Sequence, residues 1–160
     1  MKHYDKILPC KIGIIISLMV LIALDILNFY GVYTNQFYFS KPDNYIFPIL
    51  SLVHLVYLYF LWYGIGKTAP HSSKLRNTEF ALYVIMIVYI FKIYDSVQAF
   101  ILFPEFVERI VPETFKPVAV LTLTLYCLLI ILTITLFRYR KQYVGPYNVE
   151  SYNEQFDIWK

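Results

Sequence analysis

Asp25, His54, Lys92, Asp95 and Tyr126 are chemically capable side chains set inside long apolar runs of this 160-residue chain. An ionised group at the centre of a bilayer costs about 2.5 to 3.5 kcal/mol even on lenient insertion scales, so such residues face other helices, not lipid. Three kinds of chemistry are open to them. Polar side chains can hydrogen-bond across a bundle, at about 0.6 to 2 kcal/mol each. Carboxylates, imidazole and ammonium can pass protons or ions along a relay. The same groups can also be offered to a partner membrane protein or a lipid headgroup. Lys92 and Asp95 stand at i and i+3 of the stretch from Glu79 to Pro104, neighbours on one helical face where they can partly neutralise each other.

The elements that must position these groups follow from composition. With 59 % hydrophobic and 16 % charged residues, the chain falls far from the roughly 25 % charge of a soluble domain. It reads as an all-α membrane protein, a four-helix transmembrane bundle with spans over about 12–33, 45–65, 80–103 and 117–137. These form one membrane domain, 1–141, followed by a polar and aromatic tail, 142–160. Apolar character resumes after Asp25 with no small-residue cleavage site, which predicts an uncleaved first helix. Between spans one and two, Pro42-Asp43 breaks any helix, while Phe37, Tyr38 and Phe39 suit the headgroup level. Pro48 falls in the first turn of the second span, where its missing N–H does no damage. The connection Glu105 to Lys116 carries Phe106, Ile110 and Val111 at helical spacing, which predicts a short interfacial helix.

Basic residues give an orientation. Lys2, Lys6, Lys11, Lys67, Lys74, Arg76, Arg138, Arg140, Lys141 and Lys160 flank one side of the spans, against Lys41, Arg109 and Lys116 on the other, so both termini are expected in the cytosol. Asp25, His54, Asp95 and Tyr126 then lie 8 residues from Tyr33, Ile46, Phe103 and Val118 respectively, at the lumenal ends of their spans. At 1.5 Å per residue this places them about 12 Å below that boundary, as a single polar layer. Arg138, Arg140 and Lys141 form a basic cytosolic edge, read as a positive-inside anchor, as a contact for anionic lipids or as a signal for sorting coats.

The sequence carries none of the short motifs of hydrolases, metalloproteases or phosphate-binding loops. His3, His54 and His71 fall in the leader, a span and a loop, and are expected at different depths. Cys10 and Cys127 have neither disulfide nor metal-ligand spacing; Cys10 has the juxtamembrane position of an acylation site. No metal, cofactor or catalytic residue is expected, and the +3 charge, distributed as flanks of spans, does not point to nucleic acid.

Leu8-Pro9 before the first span, Asp25 late within it, Tyr94-Asp95-Ser96 followed by Phe100 and Phe103, and the basic end at Arg138 to Lys141 together resemble the small regulatory subunit family of fungal inositol phosphorylceramide synthase. The resemblance implies a non-catalytic subunit that binds and positions a larger integral membrane protein, the catalytic subunit of a Golgi sphingolipid synthase. It implies a multi-pass protein of the endomembrane system. A second resemblance is to lysosomal four-span transmembrane proteins, whose first span also opens with cysteine and glycine near Cys10 and Gly13. The alternatives to an accessory subunit are a small tetraspan trafficking adaptor and an ion- or proton-coupled transporter using the Asp, His and Lys layer.

Overall fold

Runs of Ile, Leu and Val can satisfy their backbone inside a bilayer only by winding into helices or closing into a barrel. The computed structural model, which describes residues 4–65, 73–101 and 112–143, shows four helices among them. These are α1 Tyr4–Asn28, α2 Ile46–Gly64, α3 Ser73–Ile101 and α4 Phe115–Tyr143. Each is long and apolar enough to cross a membrane, with mean hydropathy between 1.8 and 2.5 over the spans. The chain is therefore an all-α, multi-pass membrane protein. The expected helical boundaries shift at several ends. α3 starts at Ser73, so Lys74 and Arg76 belong to the helix, and α4 begins at Phe115 and continues to Tyr143. The expected interfacial helix falls mostly on 102–111, which lies outside the described residues, as do the 66–72 loop and the tail beyond Tyr143.

The largest correction concerns the first span, expected to continue to Tyr33. α1 runs through Pro9, where the ring forgoes the bond to the Asp5 carbonyl, but stops at Asn28. Beyond it the chain makes a small antiparallel hairpin, β1 Tyr30–Gly31 with β2 Gln36–Phe37, in the register Tyr30 to Phe37 and Gly31 to Gln36. Two residues force this turn. Asn35 takes the left-handed conformation, φ 54°, which asparagine tolerates better than most. Gly31 lies so close to Tyr38 and Thr34 that any side chain there would collide with the Tyr38 ring. The amides of Thr34 and Asn35 both donate to the Gly31 carbonyl, at 3.1 and 2.9 Å. The Asn28 side chain donates to the Asn44 carbonyl, tying the end of α1 to the start of α2. Pro42, expected only to break a helix, instead opens a 3-10 turn, Pro42–Tyr45, that leads into α2.

The helices pack in a ring, α1 on α2, α2 on α3, α3 on α4 and α4 back on α1, each antiparallel to its neighbours. Leu21, Leu24, Leu61, Leu82, Leu129 and Leu136 fill the axis together with Phe47, Tyr57 and Tyr89. At the closing α1–α4 seam, a Cβ on Gly13 would lie 3.3 Å from the Leu136 side chain, so glycine lets the two helices approach closely. Phe29, Phe39 and Tyr45 cluster beside the hairpin, with Phe29 5.4 Å from Phe39 and 5.1 Å from Tyr45 between ring centroids.

Candidate functional site

The axis is polar at three levels, and each level joins a different pair of adjacent helices. Nearest the hairpin, Ser51 of α2 donates to the Asp25 carboxylate of α1 at 3.0 Å, sharing its one hydroxyl hydrogen with the Pro48 carbonyl at 2.8 Å. The other carboxylate oxygen of Asp25 is buried with no hydrogen-bond partner among the described residues. One turn further along α2, the fully buried His54 meets α3, its Nδ1 sharing a hydrogen bond with the Tyr89 hydroxyl at 3.1 Å. His54 Nε2 and the Ser17 hydroxyl have no partner among the described residues. At the far end, Arg140 of α4 donates to the Glu79 carboxylate of α3 at 2.5 Å, with both side chains buried. Tyr83 also donates to Glu79, at 3.5 Å.

Aromatic rings connect these levels. Phe47 lies 5.6 Å from Tyr89 and edge-on to Tyr126 at 5.4 Å, and Phe137 is gripped between Tyr57 at 5.5 Å and Tyr83 at 4.8 Å. The arrangement suits cross-helix bonding, because each clamp satisfies a polar group that would otherwise face hydrocarbon.

The residues expected to share one layer fall into adjoining groups. Asp25, Tyr126 and Tyr89 cluster, with the Asp25 carboxylate in electrostatic reach of both phenols, while His54 sits a turn deeper. Lys92 and Asp95 adjoin this cluster through Tyr126, which lines a cavity with both and lies in electrostatic reach of Asp95. Asp95 is exposed, Lys92 is half-buried, and no ion pair joins them, contrary to the expected mutual neutralisation. Both line a cavity of about 220 Å³ between α1, α3 and α4, with Asn28, Ser96, Thr122 and Tyr126 as its other polar walls. Tyr33 lies at the same cavity, its ring 4.9 Å from Phe115, and partial burial raises its phenol above the ordinary range.

The basic edge also divides. Arg138 and Lys141 are exposed, but Arg140 turns inward on the face that carries Leu129, Thr133 and Leu136. Its partner, Glu79, was not among the expected site residues. The signal was present, since Arg140 continues a stripe of three- and four-residue spacing and Glu79 lies in the N-terminal part of the antiparallel helix beside it. Among the described residues no group of three His, Cys, Asp or Glu side chains comes together as metal ligands.

Fold and interior together define a four-span helical membrane protein with polar clamps along its axis. No family model, curated protein or solved structure matches the chain.

Proposed function

We propose that this chain is a non-catalytic accessory subunit that binds and positions a larger integral membrane protein. One observation carries the reading. α3 is the least covered helix, with 17 % of its apolar stretch buried against 28 to 33 % in the others. Its outer face presents Phe80, Tyr83, Ile87, Phe91 and Tyr94 as a continuous stripe at helical spacing. Tyr94 is 57 % exposed and its hydroxyl has no partner among the described residues, a poor fit to hydrocarbon and a good one to a neighbouring helix. The resemblance to the regulatory subunits of inositol phosphorylceramide synthase makes that catalytic subunit, in a Golgi membrane, the first partner to test. Purification in mild detergent followed by mass spectrometry is expected to recover a larger membrane protein in near-stoichiometric amount, with no turnover by the chain alone. A clean monomer or homo-oligomer that transports ions or protons in liposomes would replace this reading with the transporter, which draws on Asp25 and His54.

The proposal includes the orientation given by the basic flanks, with both termini cytosolic. Single cysteines at Asn44 and Lys74 are expected to label from the lumenal and cytosolic sides respectively. Labelling of position 74 from the lumenal side would invert the topology.

A further inference from the structure

Lys92 and Asp95 share the wall of one cavity without forming an ion pair, each on a helix long and apolar enough to span a membrane. Two opposite charges left separate in such a setting are costly unless something meets both of them. The rest of the lining is amphiphilic. Leu27, Val32, Ala99 and Ala119 supply apolar wall, and Tyr126 adds a hydroxyl that makes no hydrogen bond to a described residue although its ring is buried. A volume of about 220 Å³ is several times a water molecule's share of liquid, about 30 Å³, so it admits a small headgroup and not a whole lipid. The cavity also sits toward one end of the bundle, between the C-terminal half of α3, the N-terminal half of α4 and the end of α1.

We propose that this cavity binds a zwitterion that carries a primary ammonium close to an anionic group, the ammonium held by Asp95 and the anion by Lys92. A carboxylate prefers a primary ammonium because each N–H gives it a charge-assisted hydrogen bond, which a trimethylammonium cannot do. Lys92 meets the anion as a point charge, which suits a phosphate or a carboxylate equally. Two sources present this chemistry: the headgroup of phosphatidylethanolamine and a free small zwitterion such as phosphoethanolamine or an amino acid. The site is separate from the outer stripe of α3 and does not depend on the accessory-subunit reading.

The full chain, purified in mild detergent and exchanged into equal amounts of phosphatidylethanolamine, phosphatidylcholine and phosphatidylglycerol, reports the preference by native mass spectrometry. Retention of phosphatidylethanolamine about tenfold above the other two is expected, the ratio that one charge-assisted hydrogen bond supplies. Lys92→Gln should lower the retention of all three lipids, which share the phosphate, and Asp95→Asn should bring the three near parity, both with helix content by circular dichroism unchanged. Ala99→Leu, which keeps both charges and fills the cavity from α3, should also bring the three near parity. Free phosphoethanolamine that displaces the lipid identifies the soluble zwitterion as a ligand in its own right, and failure to displace assigns the site to the lipid form. Equal retention of all three lipids by the unaltered chain, with no binding of phosphoethanolamine or glycine, overturns the proposal. So does a preference for phosphatidylcholine, or an undiminished preference in a folded Ala99→Leu variant.

Discussion

Glu79→Leu is expected to destabilise the bundle by about 3 to 5 kcal/mol, because it leaves the Arg140 guanidinium buried without its carboxylate. The exposures of the two side chains, 9 % for Arg140 and 3 % for Glu79, put the pair in the class where desolvation outweighs screening. The double change Glu79→Leu with Arg140→Leu removes both charges and should recover most of the loss, since apolar replacement of a whole buried pair is often near neutral. Glu79→Gln keeps an acceptor for Arg140 and should fall between. Denaturant titration in micelles, followed by circular dichroism, measures all three against the unaltered chain. If the single leucine variant were as stable as the original, Arg140 would have an aqueous route at that end and the clamp between α3 and α4 would not be structural. The comparison also separates this pair from Lys92 and Asp95, which are not paired and for which no such recovery is expected.

The four spans were legible because apolar length is a composition signal that survives ignorance of partners. The end of α1 was not, because Gly31 and Tyr33 are as compatible with a span as with a turn until Tyr38 is known to fold back over Gly31. Asn28 and Asn35 held the local signal, one as a side chain able to cap across to Asn44 and the other as a residue tolerant of positive φ. At the site, Asp25 and His54 stood out in sequence, but their partners Ser51 and Tyr89 did not, since a serine and a tyrosine in an apolar helix are unremarkable until the bundle brings them opposite an acid and an imidazole. Arg140 was misread for a different reason. The positive-inside rule counts charges near a membrane edge and ignores helical face, so it placed Arg138, Arg140 and Lys141 together although only the middle one lies on the buried stripe. The cavity was beyond reach of sequence, because its walls come from three helices whose relative rotation no single periodicity fixes.

Phe47→Ala is the substitution that tests whether the aromatic stack couples the levels of the axis. Phe47 is fully buried, and its ring is the common neighbour of Tyr89, which carries the bond to His54, and of Tyr126, which walls the cavity. In a membrane the unfolded reference still surrounds a phenylalanine with hydrocarbon, so the transfer part of the usual loss is muted and the packing part remains. A void of roughly 100 Å³ at about 24 cal/mol per Å³ gives about 2.4 kcal/mol, the loss expected here. Phe47→Leu retains most of the volume and should cost less than about 1.5 kcal/mol. The shortfall between them is the measurable signature of a close-packed site, since a loosely packed one would collapse around alanine and treat both changes alike. Denaturation midpoints that place the alanine and leucine variants together would mean that the rings of Tyr89 and Tyr126 are not held by Phe47, and that the axis relies on its hydrogen-bonded clamps alone.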